Sequence, residues 1–287
     1  MTDSFKLGTR GSQLALTQSQ QVADVVVSRT GVPVELVIIK TRGDLIKDTP
    51  LPEIGGKGLF TLELERALIS GDVDFAVHSL KDLPTTDPEG LVLGAIPERV
   101  DPRDAIVGPN LADLKSGDVV GSGSLRRRLQ LLALRPDLVV NDIRGNVPTR
   151  IAKMDAGQYR STILAMAGLK RLRIERSDIH PIAIDDMVPA VGQGALAVQC
   201  RGGDERVLGA LASIDHAETR AATQGERAFL REFGGGCNVP AGCHIWWSGS
   251  HYSLLAVVGD DSGLVQRFSA SGPDPVALGL TAAAALQ

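Results

Sequence analysis

Apolar and polar positions in the first third of the chain alternate between short apolar runs and stretches with helical spacing. Leu64, Ala67 and Leu68 recur every three or four residues, and Gly71 ends that helical pattern. The pattern predicts strands at Phe5–Thr9, Val34–Lys40, Asp74–Ser79 and Leu91–Ile96, and helices at Gln13–Ser28 and Leu59–Ser70. Because strands that alternate with helices form βαβ units, we expect a mainly parallel sheet with helices on both faces.

A second alternating segment follows Asp101-Pro102-Arg103-Asp104. It predicts strands at Val119-Val120, Leu138–Asn141 and Ser161–Ala165, a helix that runs through Leu134 after the turn Gly121–Ser124, and a helix at Val147–Ala156. The run Val188–Gly194 has the character of a crossover connection and leads into a predicted strand at Ala195–Cys200. The centre of the chain is therefore a second α/β segment.

The pattern changes after Asp204–Ser213. A long predicted helix at His216–Phe233 runs into a glycine-rich loop, and three β-like segments near 243–248, 252–259 and 264–270 precede an Ala-rich helix. This last part predicts a small third domain of α+β type.

Composition agrees with a globular protein of two or three domains, since the chain has 287 residues, 43% hydrophobic and 22% charged. Aromatic residues make up 3%, so the cores are expected to consist of Leu, Val, Ile and Ala. No apolar run is long enough to span a bilayer, and Met1–Lys6 lacks the layout of a signal peptide. With three cysteines, we expect a reducing cytoplasm.

The net charge of −4 argues against a general nucleic-acid binder, but positive charge is concentrated in short motifs. In Gly121–Arg127, a glycine turn and the hydroxyls of Ser122 and Ser124 precede a predicted helix whose first turn holds Arg126 and Arg127. Free backbone N–H groups at a helix start attract anions, and guanidinium groups bind carboxylates or phosphates in bidentate fashion. The spacing does not fit a P-loop, and a capped helix with a solvated basic face stays possible.

Similar turns occur at Thr9-Arg10-Gly11-Ser12, at Gly55–Phe60, which includes Lys57, and at Arg144-Gly145-Asn146, followed by Arg150. Ligands of open α/β sheets gather at the carboxyl ends of strands. Several basic turns at such ends predict a site for a small polyanion between two domains.

Two motifs carry further candidate chemistry. His78–Pro84 ends a predicted strand, and there Asp82, beside Lys81, can stabilise a developing cation or shuttle a proton, or be a structural salt-bridge residue. His78 lies in an apolar run, which favours a hydrogen-bonded core histidine.

Cys237 follows three glycines, so it is either a thiol that another molecule reaches or a half-buried residue of a hairpin connection. A metal site is a rival interpretation for Cys237, Cys243 and His244, but no CxxC pair is present and a tetrahedral site needs four ligands.

Together these motifs resemble the porphobilinogen deaminase family, also called hydroxymethylbilane synthase. The matching stretches follow the family order across residues 5 to 243 and are Thr9-Arg10, Thr41-Arg42-Gly43-Asp44, Gly55–Phe60, His78–Pro84, Asp101–Ala105, Ser124–Arg127, Arg144–Val147, Ala167–Arg171, Val191–Ala195 and Gly235-Gly236-Cys237.

The resemblance implies an α/β fold with two domains like those of type II periplasmic binding proteins and a small α+β C-terminal domain. In this chain we expect the first domain at 1–95 plus 195–213, the second at 100–190, and the third at 216–287, which carries the cofactor cysteine. A monomer that binds neither nucleic acid nor membrane is expected.

The implied activity is a transferase of tetrapyrrole (heme-type) biosynthesis that joins four porphobilinogen molecules into hydroxymethylbilane and releases ammonia. The implied cofactor is a dipyrromethane held by a thioether to Cys237, with no metal. Asp82 matches the catalytic carboxylate. The implied cofactor ligands are Lys81, Asp82, Ser124, Arg126, Arg127 and Gly145. The implied substrate ligands are Arg10, Ser12, Lys57, Phe60, Arg144, Arg150, Arg171 and Gln193.

The chain departs from the family pattern at Glu53, where many relatives have a lysine, and at Gly11 and Gly123, which are often polar positions. These changes remove expected carboxylate contacts. Two other classes of protein stay open: a non-enzymatic anion-binding protein of the same architecture, which would leave Cys237 and Asp82 unexplained, and a thiol redox or metal protein, which would explain the cysteines alone.

Overall fold

The computed structural model describes residues 4–41, 61–234, 239–260 and 262–287. Contacts between residues divide the chain into two units. The first consists of Met1–Arg99 with Ala195–Ala221, and the second of Val100–Gly194 with Ala222–Gln287. Each unit contains a five-stranded sheet, and the second also holds the three-stranded sheet of the C-terminal region.

The sheet of the first unit has the strand order β2-β1-β3-β10-β4. Its strands are β1 (Phe5–Thr9), β2 (Val34–Ile38), β3 (Phe75–Ser79), β4 (Leu91–Ala95) and β10 (Leu196–Arg201). Its helices are α1 (Gln13–Thr30), α2 (Leu62–Ile69), α6 (Glu205–Ala212) and the start of α7 (Ala217–Glu232).

Both faces of this sheet are covered by helices, because its strands carry buried side chains on each side. On one face, Phe75 and Val198 pack in a core with Val22 of α1 and Leu211 of α6. On the other face, Ala76 packs with Leu64 and Leu68 of α2. The carboxyl ends of β1 and β3, which are parallel neighbours, therefore lie together at one edge of the sheet.

The sheet of the second unit has the order β7-β6-β8-β5-β9. Its strands are β5 (Asp104–Val107), β6 (Val119–Gly121), β7 (Val139–Asn141), β8 (Ser161–Ala165) and β9 (Ile179–Pro181). Its helices are α3 (Leu125–Leu134), α4 (Val147–Asp155) and α5 (Met166–Arg171).

The prediction of a mainly parallel sheet needs one correction in each unit. Strand β10 pairs antiparallel with both β3 and β4, and β5 pairs antiparallel with both β8 and β9. The remaining strands of each sheet run in one direction. The apolar pattern predicts β10 as a strand but not its direction, because a period of two is the same in either direction.

The C-terminal region forms the antiparallel sheet β11 (Ala241–Trp247), β12 (Tyr252–Gly259) and β13 (Val265–Gly272), followed by α8 (Pro275–Leu286). Phe229 of α7 and Ala282 of α8 pack against Cys243 and Ile245 of β11 in its core. The prediction of two α/β domains and a small α+β C-terminal domain is confirmed. No helix in the described part of the chain is long and apolar enough to cross a membrane.

A buried carboxylate joins the C-terminal sheet to the connection Val188–Gly194. Glu226 of α7 has no exposed surface and accepts hydrogen bonds from the backbone N–H groups of Gly192, at 2.7 Å, and Ile245, at 2.9 Å. A Cβ at Gly242 would lie 2.7 Å from the carbonyl oxygen of Val188, so this part of β11 contacts the connection at backbone distance.

Most of the predicted elements are present, with ends that differ by a few residues. The elements that the pattern does not predict are β5, β9, α5 and α6. The strands β5 and β9 have four and three residues, and α5 has six. Such short segments show too few apolar positions to define a period.

The crossing of α7 and α8 depends on two glycines. A Cβ at Gly225 would overlap the carbonyl oxygen of Pro275, and a Cβ at Gly279 would overlap the carbonyl oxygen of Gly225. Both obstacles are backbone atoms that cannot rotate away. We expect Gly225→Ala and Gly279→Ala each to lower the free energy of unfolding by about 1–3 kcal/mol, measured by urea denaturation.

Gly209→Ala is the matched control, because Gly209 lies within α6 and a Cβ there meets no atom within 4 Å. That change should raise the free energy of unfolding by about 0.5–1 kcal/mol, since alanine favours the helix. An equal rise in the free energy of unfolding of all three variants would contradict the close approach of α7 and α8.

Candidate active site

Asp82 and Lys81 lie in a single 3-10 turn, Leu80–Asp82, that directly follows β3. The turn is fixed by the buried Leu80, whose backbone N–H donates to the carbonyl oxygen of Ala195 at 3.0 Å. The Asp82 side chain is exposed, and its carboxylate has no hydrogen-bond or ion-pair partner within the described ranges. A rigid turn thus presents an accessible carboxylate at the carboxyl end of a parallel strand.

Arg10 and Ser12 follow the carboxyl end of β1, the neighbour of β3. The Ser12 hydroxyl oxygen caps α1 by accepting a hydrogen bond from the N–H of Ala15 at 3.3 Å. The hydroxyl proton is still able to donate, as the resemblance implies for Ser12. The structure therefore brings Arg10, Ser12, Lys81 and Asp82 to one edge of the first sheet.

His78 lies beneath this edge, one strand residue before Ser79, and is 6% exposed. Burial, as the larger effect, and the positive charge of Arg10 together lower the pKa of His78 from 6.5 to about 4. Histidine burial, as predicted from its apolar surroundings, is confirmed. The ring is neutral near pH 7, so it adds no charge next to Arg10.

Ser124 and the two arginines of α3 are at the carboxyl end of β6 in the second unit. The Ser124 hydroxyl caps α3 by accepting from the N–H of Arg127 at 3.5 Å. Arg126 and Arg127 are 5% and 6% exposed, and both guanidinium groups face the carboxylate of Asp104, which has no exposed surface. The alternative interpretation of this motif, a capped helix with a solvated basic face, is therefore wrong.

The contacts of Asp104 differ between its two oxygens. Oδ1 accepts from Arg127 Nε at 3.0 Å and Nη2 at 2.7 Å, whereas Oδ2 lies 2.8 Å from Arg126 Nη2. Burial by itself would raise the pKa of Asp104, but the charges of Arg126 and Arg127 hold it well below its usual range. Asp104 is an anion that is buried together with its cations.

Gln193 is also buried, with no exposed surface. Its side-chain amide donates to Asp104 Oδ1 at 2.9 Å and to the carbonyl oxygen of Pro102 at 2.7 Å. Gln193 thus contacts the same oxygen of Asp104 as Arg127 does. The resemblance, in contrast, implies that Gln193 is a substrate ligand.

Arg144, Gly145 and Arg150 lie at the start of α4. Gly145 has a φ of 114°, and a Cβ there would lie 2.6 Å from Thr149 Cγ2, so only glycine fits. Arg144 pairs with Asp142 at 3.1 Å, and Arg150 Nε donates to the carbonyl oxygen of Gly145 at 2.7 Å. Burial lowers the pKa of Arg150, and the nearby charge of Arg127 lowers it further.

Arg171, at the end of α5, is 7% exposed. Its Nη2 donates to the carbonyl oxygen of Gly194 at 2.8 Å, and its Nε has no partner among the described residues. Burial lowers the pKa of this guanidinium to about 10. A buried cation with no carboxylate beside it in the described part requires an anion from elsewhere.

Lys57, Phe60, Cys237 and Glu53 lie outside the described residues. The two other cysteines, Cys200 and Cys243, are buried and form no disulfide within the described residues, and burial raises the pKa of Cys200 to about 11. No group of three or more His, Cys, Asp or Glu side chains in the described ranges is arranged to hold a metal.

Two family models match consecutive parts of the chain. The model described as "Porphobilinogen deaminase, dipyromethane cofactor binding domain" matches residues 5–209, and "Porphobilinogen deaminase, C-terminal domain" matches residues 221–287. The chain belongs to the porphobilinogen deaminase family. The family is an enzyme family of tetrapyrrole biosynthesis, and the first matched domain binds a dipyrromethane cofactor.

Curated relatives agree with this membership. The porphobilinogen deaminase of Roseiflexus castenholzii is 47% identical over 285 residues, covering 97% of this chain and 94% of the relative. That of Brevibacillus brevis is 45% identical over 289 residues, covering 98% of this chain and 93% of the relative.

Two solved structures are among those similar to this chain. The methionine-binding protein MetQ has a TM-score of 0.47 and 16% identity, and covers 85% of this chain and 99% of its own. The periplasmic VFT2 domain of Bordetella pertussis BvgS has a TM-score of 0.44 and 15% identity, and the match covers 78% of this chain and 90% of that domain's chain.

The cationic side chains of the second unit fit the porphobilinogen deaminase cofactor. A dipyrromethane made from porphobilinogen carries acetate and propionate groups, and carboxylates are the ligands that guanidinium groups bind best. Arg126, Arg127 and Arg171 bring three buried positive charges, whereas Asp104 is the single carboxylate paired with them among the described residues. These three guanidinium groups can therefore bind further carboxylates.

Asp104 is the residue of this porphobilinogen deaminase site to which the sequence patterns give no role. The signal for it is an acidic residue that begins the apolar run Ala105-Ile106-Val107. A carboxylate at the start of a buried strand needs cationic partners, and the arginines of α3 supply them.

The low pKa of His78 predicts a pH-dependent stability. Because the folded value of about 4 lies below the unfolded value of 6.5, the unfolded chain takes up the proton first as the pH falls. The stability from neutral His78 is complete above the unfolded value and is lost toward pH 4. Between pH 7 and pH 5 this one group should remove about 2 kcal/mol from the free energy of unfolding.

Urea denaturation of the wild type and His78→Gln at both pH values measures this contribution. The glutamine variant keeps a polar side chain that does not titrate. Between pH 7 and pH 5, its free energy of unfolding should therefore fall by about 2 kcal/mol less than that of the wild type. A fall of the same size in both proteins would show that His78 is not buried in its neutral form.

Proposed function

We propose that this chain is an enzyme that joins four porphobilinogen molecules head to tail, with loss of ammonia from each, and forms hydroxymethylbilane. The observation that carries the proposal is the burial of Arg126, Arg127 and Arg171 with Asp104 as the one carboxylate paired with them among the described residues, in a chain of the porphobilinogen deaminase family. A substrate and product that bear two carboxylates on every pyrrole ring suit such a site.

Cys237 is proposed to hold the dipyrromethane cofactor by a thioether. The three glycines that precede it in the sequence carry no side chains, which suits a thiol that a chain of pyrrole rings must reach. When bound, the cofactor supplies the terminal pyrrole carbon to which the first substrate unit is joined. The buried thiols of Cys200 and Cys243 are poor alternatives, because burial protects them from a reagent.

The basic residues are proposed to bind the carboxylates of the cofactor and of the substrate. Arg126 and Arg127, with Lys81, Ser124 and the backbone of Gly145, are assigned to the cofactor. The proposed substrate ligands are Arg10, Ser12, Lys57, Phe60, Arg144, Arg150 and Arg171. Arg171 is the strongest of these, since its guanidinium has no carboxylate beside it among the described residues and a ligand carboxylate would supply the countercharge.

Asp82 is proposed to be the catalytic residue. Its carboxylate accepts hydrogen bonds from pyrrole N–H groups, and its negative charge stabilises the cationic azafulvene that remains when ammonia leaves the substrate. The exposed position of Asp82 on a fixed turn supports this role, because the carboxylate is accessible without a large rearrangement.

We also propose that the protein is a cytoplasmic monomer that binds neither nucleic acid nor membrane, and that its domains are residues 1–95 with 195–213, 100–190 and 216–287. The net charge of −4 and the three cysteines support the first part. The separate sheets and the C-terminal family match at 221–287 support the second.

The first test is the intact mass of the purified protein. We expect the wild type to carry an adduct of two linked pyrrole units, and Cys237→Ser to carry none, because serine forms no thioether. Cys200→Ser is the matched control and should keep the adduct. An active wild type with an unmodified mass would refute the cofactor assignment.

The second test addresses Asp82. Asp82→Asn keeps the shape of the side chain and removes its charge, so we expect the adduct to be present and kcat to fall by about 100-fold or more. The control is Asp24→Asn, an exposed position on α1 that should leave kcat unchanged. Normal turnover in Asp82→Asn would remove this residue from the mechanism.

A further inference from the structure

We propose that Asp104 is a positioning residue of the reaction. In this inference, which rests on the proposed function, Asp104 holds the guanidinium groups of Arg126 and Arg127 in the orientation that receives ligand carboxylates. Asp104 itself does not touch a ligand, because it has no exposed surface.

The contacts fix both guanidinium groups at two points each. Arg127 is held at Asp104 Oδ1 through Nε and Nη2, and its Nη1 donates to the carbonyl oxygen of Ile163 at 2.9 Å. Arg126 is held at Asp104 Oδ2, and its Nη1 donates to the carbonyl oxygen of Val188 at 2.6 Å. A planar guanidinium bound along two edges cannot rotate freely.

These contacts leave donors for a ligand. A guanidinium has five N–H groups, and the contacts above use three of those of Arg127. The other two, one on each terminal nitrogen, have no partner among the described residues. Asp104 therefore determines which edge of Arg127 is available to an incoming carboxylate.

Gln193 supports Asp104 from behind. Its amide donates to Asp104 Oδ1 and to the carbonyl oxygen of Pro102, so the carboxylate has its own fixed orientation. Gln193 lies in the connection Val188–Gly194, next to Gly192, whose N–H donates to Glu226. The buried polar contacts thus form a continuous set from α7 to α3.

The charge of Asp104 matters as much as its shape. Without it, Arg126 and Arg127 would be two adjacent buried cations, with Arg150 close enough to Arg127 to feel its charge. Like charges in a buried site repel strongly, so the guanidinium groups would move apart or take up other contacts.

Three variants separate positioning from general stability. Asp104→Asn removes the charge, and Asp104→Glu keeps the charge but moves it by one methylene. Asp101→Asn is the matched control, because Asp101 also pairs with two cations, Arg103 at 2.8 Å and Lys170 at 3.0 Å, which the proposal gives no role. For each purified protein we would measure the adduct fraction by intact mass, the Tm, and KM and kcat with porphobilinogen.

We expect Asp101→Asn to resemble the wild type in adduct fraction, KM and kcat. Asp104→Asn should lose most of the adduct, and its kcat/KM should fall by roughly 100-fold. Asp104→Glu should fold with a Tm near that of the control, with kcat/KM lowered by about 10- to 100-fold, mainly through KM, because the guanidinium groups are displaced.

Wild-type adduct fraction and kinetics in Asp104→Glu would overturn the inference, since a residue that only balances charge tolerates that change. If Asp104→Asn does not fold, the decision rests on Asp104→Glu, which keeps the buried charge. Failure of the proposed function would look different, because the wild type itself would then carry no adduct and release no hydroxymethylbilane.

Discussion

The buried carboxylate of Asp104 is the contact on which the second unit depends. Two arginines of α3 face it, and burying two guanidinium groups without an anion would be prohibitively costly. The same two arginines also donate to the carbonyl oxygens of Val188 and Ile163. They therefore join the start of β5 and the first turn of α3 to two further segments of the unit. The basic start of α3 is therefore buried inside the second unit together with its carboxylate partner.

A second buried carboxylate, Glu226, extends this arrangement to the C-terminal region. It holds Gly192 and Ile245 by their N–H groups, while Gly242 lets β11 approach the carbonyl oxygen of Val188. The connection Val188–Gly194 is thus held by α3, by the contact of Gln193 with Asp104, and by the C-terminal sheet. A long crossover of this kind keeps one conformation because polar groups at both ends are buried and paired.

Much of the site was predictable because its motifs are local. The capped start of α3, the turn after β3 with Asp82, and the glycine at 145 each need only a few consecutive residues. The inward orientation of Arg126 and Arg127 was not predictable, because their partner Asp104 lies more than 20 residues away. The same holds for Gln193, which is 89 residues from Asp104.

The sequence by itself determined the longer strands, the helices other than α5 and α6, the family, and the residue types that a polycarboxylate needs. Periodicity and capping depend on neighbours within one or two turns of chain, so they can be read directly. Only the tertiary structure decided the antiparallel direction of β5 and β10, the burial of Asp104 and Gln193, and the burial of Arg171 with an Nε that has no partner in the described part of the chain. Those features depend on which segments, distant in sequence, pack together in the interior. An unpaired charge or amide is costly there, and packing determines which partners it has.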